Sequence, residues 1–148
     1  MSEFTHLDSA PHGLMLCDDL IFFSRVSGTA RAAGLTVRMV RTAAELVAAA
    51  RTAAPGGVIV DVHNPGLDLP ALLAGLKDAC PAVRVIAYGS HVEAAVLRAA
   101  RQAGCDQVLP RSVFVKELEG KIAEWLGAAT PTPPAPLPEG KGEEERPS

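Results

Sequence analysis

Three aspartates stand directly behind short apolar runs. Gly57, Val58, Ile59 and Val60 lead into Asp61, and Gly13, Leu14, Met15, Leu16 and Cys17 lead into Asp18 and Asp19. A run of four to eight apolar residues bounded by Gly and Pro reads as a strand covered on both faces, in a parallel sheet. Ligands of such sheets gather beyond the carboxyl ends of the strands. A carboxylate at that place has two readings of about equal weight. It turns the following loop by accepting from nearby backbone, the commoner fate of such an Asp, or it faces a binding rim. If the three acids share one rim, their repulsion decides the chemistry. Two like charges about 4 Å apart cost roughly 4 kcal/mol at an effective dielectric near 20, so the cluster must hold a cation, raise a pKa or splay apart. Mg²⁺ is the natural partner, taking a few carboxylates, waters and a phosphate oxygen, as an aspartate that accepts a phosphoryl group requires.

The rest of the chain supplies the elements that would bring these acids together. After Asp19, Phe22, Phe23, Val26, Ala30 and Ala33 recur at helical spacing, and Gly34 offers a left-handed stop. Residues 35–40 alternate with period two, as an edge strand does. Thr42 and Glu45 form a capping box before a helix carrying Leu46, Val47 and Ala50 inward, ended by Pro55, Gly56 and Gly57. Asp68 caps a helix with Leu69, Leu72, Leu73 and Leu76. Residues 83–88 are a fourth strand, broken by Gly89. Ser90 and Glu93 make a second capping box, opening a helix with Val92, Val96, Ala99 and Ala103 on one side. Residues 106–110 are a fifth strand, and a last helix starting near Ser112 aligns Val115, Leu118, Ile122, Trp125 and Leu126. Five strand–helix units in strict alternation predict an α/β fold with a parallel sheet and helices on both faces. Such a sheet places Asp18, Asp19, Asp61, Gly89, Ser90 and Arg111 along one edge.

Composition narrows the partners. At 148 residues the chain suits one domain with a single core, and its net charge of −3 and pI near 5.8 leave no basic footprint for nucleic acid or an anionic membrane. No secretory signal and no membrane-length apolar run are found, so a cytoplasmic protein is expected. Cys17, Cys80 and Cys105 are odd in number and far apart, which suits three small buried hydrophobes better than a zinc site or disulfides. Residues 1–12 are read as a flexible N-terminal segment and 13–127 as the folded domain. Residues 128–148, Pro-rich and then charged, are read as a disordered tail, with a P-x-x-P ligand as the weaker reading.

From residue 13 to 126 the sequence resembles the CheY-like receiver domains of bacterial response regulators. The resemblance rests on the acid pair Asp18 and Asp19, on Asp61, and on Pro65 and Asp68, four and seven residues further on. It implies a flavodoxin-like, three-layer sheet in the order 2-1-3-4-5. It further implies Asp61 as phosphoacceptor, and Mg²⁺ held by Asp18, Asp19, Asp61 and the backbone carbonyl of His63. The partners implied are a histidine kinase or phosphotransfer protein and a downstream target, reached by protein contact rather than by enzymatic turnover. The sequence also departs from the family. Gly89 stands where a Thr or Ser hydroxyl belongs, and Ser90, one residue on, is better explained by its cap. Arg111 and Ser112 replace Lys-Pro, with a planar fork suited to gripping Asp61. Val108 takes the place of the switch aromatic. The resemblance therefore also allows a pseudo-receiver, an interaction module independent of phosphorylation.

A small flavin-binding protein fits less well, because no Ser/Thr/Gly-rich phosphate cradle follows the first strand. His63 and His91 invite metal or acid–base roles, but His91 beside Ser90 lacks a third partner and an oxyanion loop. Both histidines are read as loop or first-turn residues. The tail offers no apolar face to bury, so deleting residues 128–148 should leave the melting temperature nearly unaltered; a clear loss on a thermal melt would show that the tail docks.

Overall fold

The computed structural model describes residues 11–90 and 94–126. Strands β1 (Gly13–Leu16), β2 (Val37–Val40), β3 (Gly57–Asp61), β4 (Arg84–Gly89) and β5 (Gln107–Pro110) alternate with helices α1 (Leu20–Ala32), α2 (Ala43–Thr52), α3 (Leu69–Ala79), α4 (Ala94–Ala103) and α5 (Arg111–Trp125). All neighbouring strands are parallel, in the order β2-β1-β3-β4-β5. This is the expected flavodoxin-like α/β fold.

The two faces of the sheet are sorted by the strand period of two. Leu14, Leu16, Val58, Val60, Val85 and Ala87 point to one side, where α2, α3 and α4 bring Leu46, Leu72, Leu73, Leu76, Leu97 and Ala100. Met15, Cys17, Ile59, Ile86 and Tyr88 point to the other, under Phe22, Val26 and Ala30 of α1 and Phe114, Leu118, Ile122 and Trp125 of α5. The edge strand β2 is the most exposed, with Arg38 outside, in line with its alternation.

The caps arise locally, as their residues suggest. Thr42 Oγ1 accepts the Glu45 N–H at 3.1 Å, and Glu45 Oε1 accepts from Arg41 N at 2.9 Å. Asp68 Oδ1 accepts from Ala71 N at 3.2 Å, with Pro70 in the first turn, where its missing N–H costs nothing. The other expected capping box, from Ser90 to Glu93, lies largely outside the described residues, as do His91, Val92 and the tail.

Helix phase is where expectation and structure part. In α4 the buried residues are Leu97 and Ala100, while Ala99 is exposed and Val96 and Ala103 are partly buried. The larger side chain, Leu97, takes the core-facing place, and this rotates the helix by about one residue from the expected stripe. In α5 Phe114 is fully buried and Val115 only partly. The helix begins at Arg111, so that Phe114, Leu118, Ile122 and Trp125 form the stripe. In α1 Ala33 caps the end and is exposed, and Phe23 is half-buried.

Gly57 shows how tightly α5 closes over the amino ends of the strands. A Cβ there would strike the Trp125 carbonyl and the Leu126 backbone, neither of which can move aside cheaply. Gly28, inside α1, would meet nothing. Gly57→Ala should therefore lower unfolding free energy in urea by about 1–3 kcal/mol, as overpacking does. Gly28→Ala should raise it by about 0.5–1 kcal/mol, because a mid-helix glycine costs that much against alanine.

Candidate functional site

The carboxyl ends of β1, β3, β4 and β5 meet at one edge of the sheet. Register sets their levels: Leu16 lies beside Val60, Asp61 beside Tyr88, and Gly89 beside Pro110. Asp18 is exposed, while Asp19 and Asp61 are partly buried. Burial pushes the thiol of Cys17 upward; its contact with the Asp19 carbonyl opposes this, and the charges of Asp61, Asp19 and Asp18 each add a smaller upward push. Cys17 is thus a packed, inert thiol, as expected.

Each acid has a distinct local role. Asp19 is the N-cap of α1: Oδ1 accepts the Phe22 N–H at 3.0 Å. Its other oxygen, Oδ2, accepts from Nη2 of Arg111 at 3.3 Å. The guanidinium lies over the Phe22 ring, 4.1 Å from its centroid, so it is held by a carboxylate and an aromatic face together. Arg111, expected over Asp61, is thus bound to Asp19 instead. The reason is positional, since α5 begins at Arg111 and α1 runs beside α5, which sets the guanidinium against the first turn of α1. Asp61 Oδ1 accepts the N–H of His63 at 2.9 Å, and its carbonyl accepts from Asn64 N at 3.0 Å. The turn-making role and the rim position, alternatives in the sequence, therefore coexist in this residue.

The loop from Asp61 to Asp68 is fastened at two further points. Asn64 is buried and donates through Nδ2 to the Arg41 carbonyl at 3.0 Å, tying the loop to the end of β2. Gly66 has φ +74°, the left-handed region that its lack of Cβ permits. His63 reaches across instead: its Nε2 accepts the Ser90 N–H at 3.1 Å. At the end of β4, Gly89 is buried, and Val62, His63 and Leu97 crowd the place a Cβ would take. Val108 faces α4, not the rim. Next to the acids, an open depression of about 610 Å³ is lined by Ser90, Arg111, Ser112 and Val115.

Sequence reasoning missed Tyr88. Its ring packs between Phe22 and Phe114, with centroids 5.0 and 4.9 Å away, and its hydroxyl is buried without a partner among the described residues. Burial, and next the charge of Asp61, raise its pKa far out of the ordinary range. Tyr88 therefore stays a neutral phenol beneath the rim. A strand residue with an aromatic side chain looks like core in any sequence, and only its level beside Asp61 marks it out.

Among the described residues no three His, Cys, Asp or Glu side chains stand close enough together to hold a metal ion. Mg²⁺ takes oxygen ligands, one or two carboxylates completed by waters, and carboxylates are the donors that Asp18 and Asp61 bring to this edge. Asp19 has both carboxylate oxygens engaged, one by the cap and one by Arg111.

No family model matches the sequence, and no curated protein does. Solved structures match by shape. The receiver domain of a Pseudomonas aeruginosa sensor histidine kinase, which carries a magnesium ion in its active-site cleft, is 19% identical, with a TM-score of 0.68 over 80% of this chain and 99% of its own. A CheY-like receiver domain protein from Methanospirillum hungatei is 21% identical, with a TM-score of 0.67 over 80% of this chain and 94% of its own. NtrX from Brucella abortus is 23% identical, with a TM-score of 0.68 over 80% of this chain; the match spans 27% of NtrX. The chain has the receiver-domain fold. No described helix is long and apolar enough to cross a membrane.

The bond from the Phe22 amide, burial, and the guanidinium of Arg111 act on Asp19, and their sum holds its carboxyl below the ordinary value of 3.8. A carboxyl whose folded pKa is lowered stabilises the fold above its unfolded pKa and loses that contribution as pH falls through the folded value. The advantage of the native protein over Asp19→Asn in urea denaturation should be constant near neutrality and shrink below about pH 3.8. A gap that persists unchanged in acid would assign it to something other than the charge.

Proposed function

We propose that this chain is a receiver-like signalling module, a response regulator without an output domain among the described residues, with Asp61 as its phosphoacceptor. The observation that supports this most is the placing of Asp61. It closes the central strand of a receiver-type fold, beside β1, after which come Asp18 and Asp19, and Arg111 at the start of α5 pairs with Asp19 at the same edge. In the proposed reaction a carboxylate oxygen of Asp61 attacks the phosphorus of a phosphohistidine on a kinase or phosphotransfer protein. The P–N bond breaks, and its electron pair leaves with the imidazole. Asp18, Asp61 and the His63 carbonyl would hold Mg²⁺, which when bound offsets the charge on the incoming phosphoryl group. Asp19 completes the site less directly, through its ion pair with Arg111. The phosphate-side groups are Arg111, Ser90 and the backbone at Gly89. The protein is proposed to work in a two-component phosphorelay in the cytoplasm, by protein contact and not as an enzyme.

A second reading, a phosphorylation-independent pseudo-receiver, is favoured by Gly89 and Val108. A ligand shifts a conformational equilibrium only through differential interaction with two states. The hydroxyl that would follow the phosphoryl group is missing at Gly89, and Val108 is packed under α4 with no aromatic to move. A phosphate on Asp61 should therefore change the α4–β5–α5 surface little.

Acetyl phosphate with Mg²⁺ separates these readings. Mass spectrometry should show one phosphoryl group on the native protein and none on Asp61→Asn, while millimolar Mg²⁺ raises the melting temperature of the first alone, by mass action. Amide exchange in β4, β5, α4 and α5 should change little on modification. Large protection changes that vanish in Asp61→Asn would restore an ordinary phosphoswitch, and no modification at all would remove Asp61 as acceptor.

A further inference from the structure

One rim contact serves neither the capping of the helices nor the carboxylates. The imidazole of His63, on the loop after β3, accepts the backbone N–H of Ser90, on the loop after β4. The ring is otherwise exposed, so little burial energy holds it there. It also occupies space. A Cβ built on Gly89 would stand 3.0 Å from His63 Nε2, 2.5 Å from Val62 Cγ2 and 3.2 Å from Leu97 Cδ2. The volume that a side chain at the end of β4 would fill is thus taken, in part by the ring. The glycine and the histidine are a matched pair.

Two further donors of the rim are engaged as well. The His63 amide is taken by Asp61 Oδ1, and the Arg111 guanidinium by Asp19 Oδ2. A phosphoryl group on Asp61 brings anionic oxygens that need such donors, since charge-assisted bonds to N–H and guanidinium groups are what make a phosphate site. A phosphoryl group finds the Ser90 amide closed by an internal acceptor.

We propose that the His63 imidazole is an internal stopper of this rim: it holds the Ser90 amide and fills the slot over Gly89, and it must swing out before Asp61 can carry a phosphoryl group. The proposal rests on Asp61 being the phosphoacceptor. The exchange is favourable once the ring has left, because an N–H bond to an anion is stronger than one to a neutral imidazole. The stopper lowers the fraction of molecules ready to be loaded, and the apparent affinity of any phosphoryl mimic falls by that fraction. His63 is in this sense a positioning residue that acts through the Ser90 amide.

The test uses the full chain and beryllofluoride with Mg²⁺, a phosphoryl mimic that binds a carboxylate, followed by the amide resonance of Ser90. The half-saturating concentration should fall about tenfold in His63→Ala, equivalent to about 1.4 kcal/mol, and the Ser90 amide should exchange faster in the free variant. Equal half-saturation in the two proteins would overturn the stopper. A second readout does not depend on phosphorylation. Gly89→Ala should depress the melting temperature less in the His63→Ala background than in the native one, because one of its obstacles is gone. If neither protein binds beryllofluoride, the phosphoacceptor reading falls, and the melts still decide the slot: coupled losses uphold the ring in that volume, and additive losses overturn it.

Discussion

A strand that is dry on both faces can carry a charge only where its burial ends. β3 is such a strand, with Val58, Ile59 and Val60 fully buried between two layers of helices. An ionised carboxylate anywhere within it would lose its hydration without repayment. Asp61 is therefore confined to the last position, and the loop that follows must leave the sheet at once. The same constraint acts on β1, whose apolar run ends on Cys17 and releases Asp18 and Asp19. Parallel pairing of the two strands turns this shared constraint into proximity, because both release their charges on the same edge.

That proximity sets up the electrostatics of the rim. Carboxylates gathered around a low-dielectric base repel one another unless something positive lies among them. Arg111 supplies part of that charge permanently, anchored by Asp19 and by the face of Phe22. A planar, weakly hydrated guanidinium suits this place better than an ammonium, since it stacks and pairs at once. Asp19 is consequently shared between helix cap and ion pair. The remaining acids, Asp18, exposed, and Asp61, partly buried, carry the rest of the rim's negative charge.

Much of this was legible in the sequence because the signals are local. Strand runs, the caps at Thr42 and Asp68, and the left-handed glycine at Gly34 each depend on a few neighbouring residues. The face of a helix is less local. α4 turned on Leu97 rather than on Ala99, and α5 on Phe114 rather than on Val115, because the apolar stripe of a short, Ala-rich or mixed helix is nearly degenerate over one residue. The sheet it lands on chooses the phase, through the size of the gap to be filled.

The sequence by itself determined the order of elements, their parallel arrangement, and which residues stand at the carboxyl ends of the strands. Hydrophobic period and turn chemistry are properties of short stretches, so they survive without knowledge of what lies across the fold. Only the tertiary structure decided which of those rim residues touch. Arg111 chose Asp19 across 92 residues of chain, His63 found the Ser90 amide across 27, and Tyr88 came level with Asp61 through strand register. Such contacts depend on differences of a few ångströms in twist, helix start and loop path, and no periodicity in the chain encodes them.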